Sequence, residues 1–97
     1  MKTQTQASLD PRLRSAGRDL AAQLDLLFGR RPDLCGFSVH GDAEELFVSD
    51  VGISPRLSAE QFGEIFQDIA ATLSELLEER PEAGELLRGR TFARTLH

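Results

Sequence analysis

Between Leu34 and Ile53 the chain reads LCGFSVHGDAEELFVSDVGI, and the reading of this stretch decides the fold. Apolar residues alternate with small or polar ones, the two-residue period of a half-buried strand, and Gly41-Asp42 stands between two such runs as a hairpin signal. A two-residue turn pairs His40 with Ala43, Phe37 with Leu46 and Cys35 with Val48. That register places Cys35, Phe37, Val39, Leu46 and Val48 on one face, and Gly36, Ser38, His40, Glu45 and Phe47 on the other. A four-residue loop keeps the same faces. A three-residue loop brings Glu45 opposite Val39, so even loop lengths are expected.

Two positions sit awkwardly in this pattern. Phe47 lies on the polar face, with Val51 following on that same face, so something is expected to cover them. Packing across Gly36 is the local explanation; a third strand, the C-terminal tail or a second subunit is the wider one. Asp50 falls on the core side with Val48, where an unpaired carboxylate is costly. Strand termination near Gly52, capping of nearby backbone or pairing with an arginine would relieve it.

On the N-terminal side, Asp10-Pro11 is a helix start, with aspartate as cap and proline at the first helical position. The helix is expected over about Pro11–Phe28, with Leu13, Ala16, Gly17, Leu20, Leu24, Leu27 and Phe28 on one face. Gly29 is expected as a left-handed C-cap, and Pro32 prevents resumption. Leu26 points roughly opposite the stripe, as either an ordinary exposed leucine or part of a second contact.

On the C-terminal side, Ser58-Ala59-Glu60-Gln61 fits a capping box, with Leu57 and Phe62 at staple positions. Phe62, Ile65, Phe66, Ile69, Leu73, Leu76 and Leu77 form an apolar stripe to about Arg80. After Pro81, Glu82 to Arg88 can form another helical turn or two, ended by Gly89. Arg90–His97 fits either a strand or a helix, and both bring Phe92 and Leu96 onto a core or a partner surface.

The expected fold is α+β: an N-terminal helix, an antiparallel β-hairpin, a long amphipathic helix and a short C-terminal helix and/or strand, with the helices on one face of a small sheet. Residues 1–8 are read as a flexible segment and residues 9–97 as one domain. A hairpin alone is marginal. The sheet is therefore expected to gain a strand from the tail or from a second protomer, giving a homodimer whose candidate interface is Phe47, Val51, Phe92 and Leu96.

Composition narrows the function classes. With 97 residues, 40% of them hydrophobic, the chain fits one core. Its apolar runs are far shorter than the roughly 20 residues of a membrane span, and its first eight residues lack the apolar core of a secretory signal. The lone Cys35 forms no internal disulfide, which points to the reducing cytoplasm. Cys35, His40 and His97 do not supply zinc-site spacing, and the glycines form no phosphate-binding fingerprint; neither a metal nor a cofactor is expected. A Cys35–His40 thiol pair fails on geometry, since five strand residues separate them by about 16 Å on opposite faces. An enzyme is unsupported.

Charge is segmental. The net value of −5 resolves into +3 for residues 1–31, −5 for 32–55, −4 for 56–80 and +1 for 81–97. Glu64, Asp68, Glu75 and Glu78 lie opposite the long helix's stripe, as a solvated face or as a surface for a basic partner or the basic N-terminal helix of a second copy. Arg88, Arg90 and Arg94 are the candidate anion-binding cluster. The acidic balance disfavours nucleic acid. The leading expectation is a small cytoplasmic, non-enzymatic protein-interaction module of adaptor, regulatory or chaperone-like type, acting as a homodimer. The alternative is a small-molecule or anion-binding domain using the C-terminal arginines.

Overall fold

The structure is a computed structural model that describes residues 11–41 and 45–94. The expected flexible segment at residues 1–8, together with Leu96 and His97, lies outside the described residues. Helix α1 (Pro11–Arg30) buries Ala16, Leu20 and Leu27 on its apolar stripe. It runs two residues past the expected end. Gly29 is helical rather than left-handed, Arg31 NH still reaches the Leu27 carbonyl at 3.0 Å, and the chain leaves the helix at Pro32, which has no NH to continue it.

Strands β1 (Leu34–Gly41) and β2 (Leu46–Ile53) form the antiparallel hairpin, with Gly41 opposite Leu46, His40 opposite Phe47, Val39 opposite Val48 and Ser38 opposite Ser49. Four residues separate the closing pair, so the pairs expected from a two-residue turn, His40–Ala43, Phe37–Leu46 and Cys35–Val48, do not form. The faces near the loop nevertheless follow the even-loop rule. Phe37 and Val39 are buried, Leu46 and Val48 pack on the core, and His40 and Phe47 are exposed.

Farther from the loop the alternation breaks twice. Between Ser49 and Gly52, β2 carries one residue more than β1; between Leu34 and Gly36, β1 carries one more than β2. Asp50 sits in the first irregularity with φ of 51°, a left-handed conformation that aspartate tolerates better than most residues. Each extra residue exchanges inside for outside. Asp50 therefore points to solvent instead of the core, and Val51 packs on the core instead of lying with Phe47. Cys35 is exposed rather than buried, and Leu34 takes the core position with no exposure.

The third strand comes from the chain's own tail. Strand β3 (Arg90–Ala93) pairs antiparallel with β1, giving the order β2-β1-β3. Phe92 stands opposite Phe37 with ring centroids 5.5 Å apart, and Phe28 of α1 approaches Phe37 from 6.3 Å. The approach of β3 requires Gly36, because a Cβ there would lie 2.6 Å from the Phe92 carbonyl oxygen.

Helix α2 (Ala59–Glu79) begins with the expected capping box: Gln61 NH donates to Ser58 Oγ at 3.2 Å and Ser58 NH to Gln61 Oε1 at 2.9 Å. Ile65, Ile69, Thr72, Leu73 and Leu76 form its buried face. Pro81 starts a 3-10 turn to Ala83, followed by the one-turn helix α3 (Gly84–Leu87), and both Ala83 and Leu87 are fully buried. No described helix is long and apolar enough to cross a membrane.

Candidate functional site

At 100° per residue, the side of α2 next to its buried face carries Phe66, Ala70 and Leu77, and then Ser74. These residues face the edge strand β2. With Leu46, Phe47 and Val48 from β2, and Val39, Leu73 and Leu87 beneath, they line a groove of about 260 Å³. Not one of its lining residues is charged. Three large hydrophobic side chains are exposed among the described residues, and two of them border this groove: Phe47 at 55% and Phe66 at 36%. The third, Leu26, lies on α1 and does not line the groove.

The sequence pointed to Phe47 but assigned Phe66 to the core stripe. A signal for Phe66 was present in the width of that stripe. Phe66 and Leu77 lie about 60° to 80° from Ile69, farther round than the residues that reach the sheet. Of the other three candidate interface residues, Val51 and Phe92 turn inward to the core, and Leu96 lies outside the described residues.

The acidic candidates divide as well. Asp68 is engaged within the chain: Arg30 Nη2 and Arg31 Nε donate to its two oxygens at 2.9 and 2.8 Å, and Arg30 also reaches Thr72 Oγ1 at 3.2 Å. Burial pushes the Asp68 carboxyl up, but the hydrogen bonds from both arginines outweigh it and hold the group below its usual range. The same contact with Asp68 raises the already basic Arg30. Toward the other end of the pair, Arg80 Nε meets Asp19 Oδ2 at 2.8 Å. These two clamps fix α1 and α2 antiparallel. Two of the basic residues at the N-terminal side, Arg30 and Arg31, thus meet Asp68 in the same chain, while Glu64, Glu75 and Glu78 stay exposed.

Arg94 leaves the proposed anion cluster for a different reason. It donates to the carbonyls of Phe28, Arg31 and Leu34 at 2.7, 2.7 and 3.0 Å. Arg88 and Arg90 are exposed, flanking Gly89 at φ of 73° in the turn that feeds β3. On the open sheet face, His40 Nε2 lies 3.7 Å from Asp50 Oδ2, and Ser49 Oγ donates to the same oxygen at 3.3 Å. The serine therefore contacts the carboxylate and not the imidazole, which is not the order that activates a nucleophile. No group of three or more His, Cys, Asp or Glu side chains is placed to hold a metal ion among the described residues.

No protein-family model matches this chain, and no curated protein or solved structure is significantly similar to it.

Proposed function

We propose that this protein is a non-enzymatic interaction module, of adaptor, regulatory or chaperone-like type, that acts as a homodimer. The observation that carries this reading is the uncharged groove between β2 and α2, bordered by two exposed phenylalanines on a chain in which 28% of residues are charged. Contiguous apolar surface of this kind marks interaction sites rather than ordinary solvent exposure. Glu64, Glu75 and Glu78 on the far side of α2 supply a separate acidic surface, suited to a basic protein partner. Anion binding through the C-terminal arginines has less support, because Arg94 is committed to backbone carbonyls. Sedimentation equilibrium of the full chain across the micromolar range tests the reading: a reversible dimer is expected, and a monomer throughout overturns it.

A further inference from the structure

We infer that a second copy of this chain packs on the outer face of the helix pair, with α1 of each copy lying over α2 of the other and the two Leu26 side chains meeting at a two-fold axis parallel to the helices. This inference rests on the homodimer reading and specifies where its interface lies.

Away from the sheet, each helix presents a row of exposed side chains three or four residues apart: Arg14, Arg18, Ala22 and Leu26 on α1, and Gln67, Ala71, Ser74 and Glu78 on α2. Leu26, at 56%, is the most exposed large hydrophobic residue among those described. It points about 100° from the buried Leu27, on the flank of α1 from which Asp19 and Arg30 reach α2. Asp25 turns to the other flank, beside Phe28 and Arg94.

The helix ends carry charge of the wrong sign for their own dipoles. The first turn of α1 has no acidic residue and holds Arg14, and the last turn of α2 has no basic residue and holds Glu78 and Glu79, whereas a helix favours acids at its start and bases at its end. Among the described residues, Arg14, Arg18, Glu75 and Glu78 form no ion pair within the chain.

One arrangement of two copies satisfies both ends. The Arg80–Asp19 and Arg30–Asp68 pairs hold α1 and α2 antiparallel, with Arg18 roughly level with the end of α2. Rotation about an axis parallel to the helices lays α1 of the second copy over α2 in that same antiparallel register. Arg14 and Arg18 of the partner subunit then stand over Glu78, and the four helix ends form a square whose every side joins opposite charges. An axis running across the helices would instead lay α2 on α2 and glutamates on glutamates. The net −5 does not oppose the contact, because the hairpin segment 32–55 alone carries −5, whereas the +3 of residues 1–31 and the −4 of residues 56–80 nearly cancel where the helix pairs meet.

The size of the surface agrees with a reversible dimer. A helix of this length spans about 30 Å, and two side by side are roughly 20 Å across. Each copy thus contributes on the order of 600 Å² and the pair about 1,200 Å², at the low end of specific interfaces. Ala22 and Ala71 leave room beside Leu26 for the helices to approach. The β2–α2 groove stays open, since Phe66 and Leu77 lie on the flank of α2 opposite Glu75.

Sedimentation equilibrium on the full chain tests the interface, with Phe47→Arg as an exposed control on β2 and thermal melts to verify folding. Leu26→Arg, Arg18→Glu and Glu78→Arg are each expected to raise the dimer dissociation constant at least about tenfold, and Phe47→Arg to leave it unchanged. The double variant Arg18→Glu/Glu78→Arg is expected to return it to within about threefold of the wild type, a rescue that only cross-copy pairing of these charges produces. In a Cys35→Ser background, Leu26→Cys is expected to cross-link across the axis under mild oxidation and Arg18→Cys is not. A dimer as tight in the single variants as in the wild type, or a double variant no tighter than the singles, overturns this interface while leaving the homodimer reading intact. A wild-type monomer overturns both.

Discussion

The guanidinium of Arg94 lies 5.3 Å from the centre of the Phe28 ring and donates at 2.7 Å to the carbonyl of that same residue. One side chain thereby ties the end of β3 to the end of α1. The carbonyls it takes, of Phe28, Arg31 and Leu34, lie where α1 ends and β1 begins, where backbone acceptors lose their helical partners.

Arg94→Ala is therefore expected to destabilise the fold by about 2 to 3 kcal/mol, the range for charged donors to backbone acceptors. Arg94→Lys should recover less than half of that, because one ammonium cannot span three carbonyls as a planar guanidinium does. Urea melts of both variants check the magnitude. Hydrogen exchange should show β3 losing protection first.

Asp68→Asn removes the carboxylate that receives both arginines of the α1–α2 clamp. The Arg30 side chain is 47% exposed, so solvent screening limits the expected cost to about 1 to 2 kcal/mol. Because the folded carboxyl is held below its unfolded value, its contribution is complete above the unfolded pKa of about 3.9 and is lost as pH falls through the folded one. Urea midpoints measured at pH 6 and pH 3 should differ less in Asp68→Asn than in the wild type.

Two glycine substitutions are expected to have opposite signs. Gly36→Ala drives a methyl group against the Phe92 carbonyl, and β3 must shift away, costing about 2 kcal/mol or more. Gly63→Ala meets nothing within 4 Å in the interior of α2 and should stabilise by about 0.5 to 1 kcal/mol through helix propensity. Thermal melts of the pair give the comparison.

Asp50→Gly should leave stability unchanged or raise it by up to about 1 kcal/mol, since glycine enters the left-handed region without steric cost. Asp50→Val should lower it by about 1 to 2 kcal/mol, as a β-branched residue at positive φ. Equal effects from the two would count against the bulge.

Most of the architecture was legible from local patterns. The capping box at Ser58, the even loop at Gly41 and the buried Phe37 and Val39 follow from spacing alone, because each depends on neighbours a few residues away. The groove was half legible. Phe47 broke the alternation visibly, whereas Phe66 fitted a helical stripe whose true width depends on how much of it the three strands can cover. Val51, Cys35 and Asp50 were misplaced together, because strand alternation does not reveal where a residue has been inserted. Arg94 could not be found from sequence, since its acceptors are backbone carbonyls about 60 residues away.

The two irregularities in the hairpin act like a frameshift and its suppressor. The extra residue at Asp50 puts β2 out of phase with its partner, and the extra residue Cys35 restores the phase before Leu34 meets Ile53. Neither can be deleted alone without throwing the outer part of the hairpin out of frame. A hairpin of the same residues paired without either irregularity would bury Cys35 and expose Leu34, so the chain's only thiol reports directly on which frame has formed.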